Sequence, residues 1–207
     1  MTEQELMYAS DEDIAFFHKC TAGLPGVEGF SGTGFDANGE RIPYGVGPHS
    51  VRCFREIVDI VKPKSILEIG FNLGYSCSIW LNLTNGAKVL SVDISDKAET
   101  LKAGEILNEK FFSRFSFIIC DSAKLMEEWG ITLEKQKFDL TFIDGGHLEH
   151  HVMADIKLAL DLKIKWLAFD DILSQFGPGV LPAIAKHSQL EEVKTLGNIA
   201  LYKNTEV

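Results

Sequence analysis

Long apolar runs are missing from this 207-residue chain: no stretch approaches the ~20 residues that a membrane-spanning helix needs. Basic charge is also scarce. Twenty Lys and Arg face thirty Asp and Glu, a net charge of −10, and no local Lys/Arg cluster offsets it. Nucleic acid and anionic membrane attract basic surfaces, so neither is expected as a partner. Cysteine pairing is absent as well. Cys20, Cys53, Cys77 and Cys120 form no C-x-x-C motif and sit in apolar or helical patterns, as reduced, buried thiols do. Met1 to Cys20 is acidic and amphipathic, not a basic stretch ahead of an apolar core. That argues against a secretory leader and for the cytoplasm. There are no internal repeats and no low-complexity tract.

What remains is an ordinary globular composition, 45% apolar, long enough for one domain over residues 1–207 that buries roughly 70% of its unfolded surface. Residues 1–62 read as helices plus a Gly-rich cap segment, and 63–207 as the core. Ser10 with Asp13 marks a helix start, and Ile14, Phe16 and Phe17 give that helix an apolar side on which a second copy could pack. From Thr21 to Pro48, eight glycines break any period while Phe30, Phe35 and Tyr44 ask to be buried. Such a segment is either a lid or substrate wall, or simply a packed loop. Pro48 then opens a helix striped by Val51, Phe54, Ile57, Val58 and Val61, and Pro63 closes it.

Beyond Pro63 the patterns alternate. Ile66–Ile69, Lys88–Ile94, Phe115–Cys120, Phe138–Ile143 and Trp166–Phe169 read as short, mainly apolar strands. Helical stretches lie around Tyr75–Leu83, Asp96–Lys110, Ser122–Trp129 and Leu148–Leu162. This rhythm predicts βαβ units and a parallel, doubly wound α/β sheet with helices on both faces. The ending differs: Glu191–Thr195 and Ile199–Lys203, joined through Gly197-Asn198, predict an antiparallel hairpin.

Ligands of such sheets bind beyond the carboxyl ends of the strands. The first strand ends in Glu68 and runs into Gly70-Phe71-Asn72-Leu73-Gly74-Tyr75-Ser76, a glycine-punctuated turn leading into a helix. Asn72 stands where many nucleoside loops carry another glycine, and Asn tolerates the left-handed region better than most residues. Asp93 ends the second strand, where an acid can accept hydrogen bonds from ribose hydroxyls. Asp121 and Ser122 follow the third strand, placed to meet an adenine amino group. Asp144-Gly145-Gly146-His147 follows the fourth. Each acid alone could be a helix cap, but four at successive strand ends argue for one ligand.

In this order, Ile66–Ser76, Val89–Asp93, Cys120–Ser122 and Phe138–His147 resemble the motifs of class I S-adenosylmethionine-dependent methyltransferases. Leu67-Glu68-Ile69-Gly70 with Gly74-Tyr75-Ser76, Phe142-Ile143-Asp144-Gly145 and Phe169-Asp170-Asp171 are most similar to the small metal-dependent O-methyltransferases of the catechol, caffeoyl-coenzyme A and macrocin types. The resemblance spans about Tyr44 to Lys203. It implies a Rossmann-like seven-stranded sheet whose last strand is antiparallel, and S-adenosylmethionine as cofactor. Glu68 and Gly70 would meet its methionine part, Asp93 its ribose, and Asp121 and Ser122 its adenine. Phe71, Asn72, Gly74, Tyr75, Ser76, Ile94 and Asp144 complete the expected cofactor set. The departure is Asn72 in place of the family's middle glycine.

Methyl transfer to a hydroxyl needs help near neutral pH, from a divalent cation or a general base. The resemblance makes Asp144, Asp170 and Asp171 the ligands of Mg²⁺, or of Ca²⁺ or Mn²⁺, a hard cation suited to oxygen donors. Three unscreened carboxylates would repel by about 4 kcal/mol per close pair at intermediate dielectric. Adjacent strand residues point to opposite faces, however, so Asp170 and Asp171 can both ligate only if the strand breaks at Asp170. His147 stands three residues after Asp144, where catechol-type enzymes carry a basic lysine. It reads as catalytic base beside Asp144, or as the start of the following helix. His147-Leu148-Glu149-His150-His151 is not H-E-x-x-H, which disfavours zinc. His49 reads as a helix start or a residue facing substrate. Phe176-Gly177-Pro178-Gly179 reads as a further wall for a small hydroxylated acceptor. The rival readings are a nicotinamide-dependent oxidoreductase, in which Asp93 would serve equally, and a non-catalytic binding protein on the same fold.

Overall fold

The structure is a computed structural model and describes residues 9–26, 46–173 and 177–207. Seven strands form one sheet in the order β3-β2-β1-β4-β5-β7-β6. They are β1 (Ser65–Ile69), β2 (Lys88–Asp93), β3 (Phe115–Ile119), β4 (Leu140–Ile143), β5 (Trp166–Phe169), β6 (Leu190–Leu196) and β7 (Ile199–Asn204). Strands β1 to β5 pair in parallel, and β7 runs antiparallel to both β5 and β6. This is the Rossmann-like seven-stranded arrangement that the motifs implied.

The two faces of the sheet follow from side-chain alternation along the strands. Ile66, Val89, Phe115 and Phe142 point to one face. There they meet α1 (Asp11–Thr21), α2 (Pro48–Val61), α3 (Tyr75–Leu83) and α4 (Ala98–Phe111). Leu67, Leu90, Ile143 and Phe169 point to the other. It is covered by α5 (Leu125–Glu134), α6 (Glu149–Asp161) and α7 (Val180–Ile184). Helix α7, only five residues long, had no periodic signal in the sequence.

The start of α1 and both ends of α2 match their sequence signals, whereas the stretch expected as a helix from Ser122 is a 3₁₀ turn that becomes α-helical at Leu125. The Ser10 hydroxyl accepts from the Asp13 N–H at 3.1 Å and caps α1. Pro48 opens α2, and Lys62 ends it in the left-handed region with φ 50°. On α1, Phe17 and Cys20 are fully buried, while Ile14 and Phe16 are half-buried. All four cysteines are free and buried. Among the described residues no helix is long and apolar enough to cross a membrane.

The strand order creates the site. From β1 the chain crosses to β2 and β3 on one side, then returns to β4 on the other. The crevice of a doubly wound sheet opens at such a reversal. Four backbone bonds past the strand ends hold the exits of β1 to β5 level. Cys120 N–H donates to Asp93 O at 2.8 Å, Gly70 to Val92 at 2.9 Å, Asp144 to Ile69 at 2.8 Å and Asp170 to Ile143 at 3.0 Å.

Candidate functional site

At the mouth of the crevice Gly70 has φ 95°, and a Cβ there would lie 2.0 Å from the Asp144 carbonyl oxygen. The β1 and β4 exits touch at that point, and only glycine fits. Asn72 adopts φ 47°, the left-handed geometry expected of it. Between them the loop is held by Asp93. Its Oδ2 accepts from the Phe71 N–H at 2.8 Å and the Asn72 N–H at 2.7 Å, and its Oδ1 accepts from the Ser95 N–H at 2.8 Å. A carboxylate offers about four acceptor positions. Backbone takes three, which leaves Asp93 one acceptor position open to a ligand. Beside it Ile94 is 71% exposed, an apolar surface left open at the strand end.

The side chains of the expected cofactor loop mostly build the cradle from beneath. Phe71 is buried and packs on Phe117 with centroids 4.4 Å apart. Tyr75 is buried too, and its hydroxyl donates to Pro25 O at 2.6 Å. Glu68 is wholly buried, and its Oε2 accepts from the Ser91 hydroxyl at 2.5 Å. Burial pushes its carboxyl up to about 7, against hydrogen bonds from Ser76 and Ser91 that favour the charged form. Glu68 therefore supports the loop from below and offers no surface to a ligand. Asp121 accepts from the Ala123 N–H at 3.0 Å, capping the short 3₁₀ turn Ser122–Lys124.

Across the crevice, Asp144, His147 and Asp171 each offer one donor atom within 4.8 Å of the others. His147 Nδ1 lies 3.3 Å from Asp171 Oδ2 and Nε2 lies 3.6 Å from Asp144 Oδ1. Nε2 is buried and has no hydrogen-bond partner among the described residues. The Asp144 side chain is 18% exposed. Its carboxyl is pushed well above the usual carboxylate range, first by burial and then by the charges of Asp171, Glu68 and Asp93.

Asp170 does not join this group, which corrects the expected Asp144/Asp170/Asp171 set. Strand β5 ends at Phe169, and Asp171 takes φ 55° while Asp170 is buried. The Asp170 Oδ1 accepts from the Asp171 N–H at 2.8 Å, and its charge lies near enough to Cys53 to help raise that thiol. The Asp170 carboxylate turns back onto the backbone of its own segment, while Asp171, in the left-handed region, reaches Asp144 and His147. Burial, with Asp144 and Asp171 nearby, also holds Asp170 well above the usual range. His49 sits exposed in the first turn of α2. Most of Thr21–Pro48, including Phe30, Phe35 and Tyr44, lies outside the described residues, as does Phe176.

Two residues of the site region had no place in the sequence reading. Asn198, taken only as a hairpin-turn residue, reaches Asp171 with its amide at 2.5 Å. Asp155 lies on α6 and is 1% exposed, with Oδ1 unpartnered among the described residues. Burial pushes its carboxyl up to about 6, opposed by a hydrogen bond from Ser122. Its signal was an acid between Val152 and Ile156 on the apolar side of that helix.

A family model described as a methyltransferase domain matches residues 67–172. The chain belongs to that methyltransferase family. With it stands the enzyme class expected from the motifs, a class I S-adenosylmethionine-dependent methyltransferase. Solved structures share the fold. An S-adenosylhomocysteine-bound methyltransferase from Podospora anserina is 15% identical, covering 94% of this chain and 88% of its own, with a TM-score of 0.62. The O-methyltransferase TomG from Streptomyces achromogenes, involved in tomaymycin synthesis and solved with S-adenosylmethionine, is 14% identical over 98% and 93%, at 0.64. The MycE methyltransferase of mycinamycin biosynthesis, solved with Mg, S-adenosylhomocysteine and mycinamycin VI, is 17% identical at 0.55. That match covers 78% of this chain and half of MycE. No curated protein matches the chain.

Proposed function

We propose that this methyltransferase acts on a hydroxyl of a small molecule in the crevice beyond β1, β4 and β5, with a divalent cation held beside the acceptor. The observation that carries the reading is the meeting of Asp144, His147 and Asp171 next to the Gly70 loop. When bound, S-adenosylmethionine supplies an activated methyl group, and the cation supplies the charge that lowers a hydroxyl's pKa. The chain's own residues fit both. Asp93 keeps an acceptor position for one ribose hydroxyl and Ile94 offers apolar surface nearby. Asp144 and Asp171 give carboxylate oxygens of the kind that Mg²⁺ and Mn²⁺ take, and the nitrogen of His147 favours Mn²⁺ over Mg²⁺ within that pair. Burial and neighbouring acids leave Asp144 short of compensating positive charge, which a cation would provide.

A second reading of His147 rests on the 3.3 Å approach of its Nδ1 to Asp171 Oδ2. Asp171 orients the ring so that the buried Nε2 faces the site and takes the acceptor's proton without a cation. Chelation separates the two. Loss of turnover after dialysis against EDTA, restored by Mg²⁺, supports the cation. Turnover indifferent to EDTA but lost in His147→Ala supports the base.

The central test is Asp144→Ala. The variant is expected to bind S-adenosylhomocysteine as the native chain does, to lose Mn²⁺ binding, and to lose roughly 100-fold or more of methyl transfer. Transfer is followed by S-adenosylhomocysteine release over a panel of hydroxylated acceptors. Unchanged turnover removes the proposal. Calorimetric titration with S-adenosylhomocysteine and with NAD addresses the oxidoreductase alternative, and heat from NAD alone would restore it. The acidic chain, its four free cysteines and the absence of a basic cluster support a cytoplasmic enzyme working on small molecules without nucleic acid or membrane.

A further inference from the structure

The closing hairpin enters the site at its tip. Asn198 sits between Gly197 and Ile199, where β6 turns into β7. Its side-chain Nδ2 donates to Asp171 Oδ1 at 2.5 Å, and its Oδ1 accepts from the Leu173 N–H at 3.2 Å. Its backbone oxygen accepts from the Ile172 N–H at 3.1 Å. Three bonds from one turn residue thus clasp the segment that leaves β5, the segment in which Asp171 takes φ 55°. The consequence for Asp171 is a division of labour between its oxygens. Oδ1 is committed to Asn198, and Oδ2 faces His147 Nδ1 at 3.3 Å. A carboxylate at the end of a short strand, with a rotatable χ1, would otherwise be free to swing away from Asp144 and His147.

We infer that Asn198 is a positioning residue: its amide fixes the Asp171 carboxylate so that Oδ2 joins Asp144 and His147 around a cation. The inference rests on the cation reading of those three residues. It gives β6 and β7 a role beyond completing the sheet, because the hairpin that distinguishes this sheet from a plain doubly wound one also sets the geometry of its site. Partners that orient ligating carboxylates commonly govern metal affinity.

The test is Mn²⁺ binding by calorimetry on the full-length chain, with S-adenosylhomocysteine affinity measured alongside. Asn198 is not in the left-handed region among the described positive-φ residues, so alanine imposes no backbone strain there, and the Ile172 bond to its backbone survives. Asn198→Ala is expected to bind Mn²⁺ 10- to 100-fold more weakly with S-adenosylhomocysteine affinity unchanged. Asn198→Leu is close in shape, removes the donor to Asp171 and adds no charge, and the same loss is expected. Native Mn²⁺ affinity in either variant overturns the inference. So does a parallel loss of S-adenosylhomocysteine affinity, which would mark Asn198 as a support of the fold alone. A native chain that binds no Mn²⁺ sinks the cation reading itself, and this inference with it.

Discussion

At the scale of single residues, the crevice is fixed by positions that admit one kind of side chain or none. Gly70 is the extreme case. Its φ of 95° is closed to residues with a Cβ, and the space such an atom would need is already held by the Asp144 carbonyl. Gly70→Ala must therefore push the β1 and β4 exits apart. It is expected to cost about 3 kcal/mol in stability and at least tenfold in S-adenosylhomocysteine affinity, read by thermal melting and calorimetry. Asn72 provides the contrast. At φ 47° it already tolerates the left-handed region, so Asn72→Gly relieves slight strain while loosening the unfolded chain, and these nearly cancel. Equal damage from both substitutions would mean that loop flexibility matters more than the contact with Asp144.

At the scale of elements, the legible parts were those governed by repeating patterns. The strands of the parallel core announced themselves as short apolar runs because they are buried on both faces. The hairpin showed itself through its Gly-Asn turn, and α2 through its proline. What the sequence withheld depended on three-dimensional pairing. No period flags Val180–Ile184 as a helix, because five residues complete little more than one turn. Whether Asp170 or Asp171 faces Asp144 depends on how β5 ends. Asn198 reads as a turn former because its partner lies 27 residues away. The attachment of α1 is of this long-range kind too. The Ser78 hydroxyl on α3 donates to Cys20 O at 2.6 Å, and Lys110 on α4 reaches the same oxygen at 3.3 Å. Two donors on one carbonyl fasten the end of α1 over the helix that follows the Gly70 loop. Ser78→Ala removes the buried one and leaves the Lys110 contact, at a cost of about 1 kcal/mol. For a chain this long that lowers the melting midpoint by roughly 2–4 °C. S-adenosylhomocysteine affinity should hold, since the Ser78 side chain is fully buried and its hydroxyl bonds to α1. A fall in affinity matching the fall in midpoint would mean that α1 and the loop form one cooperative unit.

At the scale of the whole molecule, the sheet gathers buried acids whose protons the folded state keeps. Glu68 is pushed up to about 7 and Asp155 to about 6, in both cases chiefly by burial, and Asp144 and Asp170 move in the same direction. The sign of the linkage follows. Below the ordinary carboxyl range both folded and unfolded chains are protonated, and the folded state pays nothing. As pH rises, the unfolded chain releases these protons first. Each group's contribution is then lost progressively until its folded value is passed. For Glu68 the window runs from its ordinary value of 4.5 to about 7, and the loss accumulated across it is about 3 kcal/mol. The apoprotein should therefore melt lower at pH 8 than at pH 5, the reverse of proteins whose acids are held ionised by ion pairs. Glu68→Gln isolates the effect. The glutamine amide leaves a donor where Glu68 Oε1 already lacks a partner, a penalty that is the same at every pH. Only the difference between pH values is informative. Relative to the native chain, the variant should melt about 5–10 °C higher at pH 8 than it does at pH 5. If the two melting curves stay parallel across that range, Glu68 does not titrate within it, and the proton-holding floor of the crevice must lie with Asp144, Asp155 and Asp170.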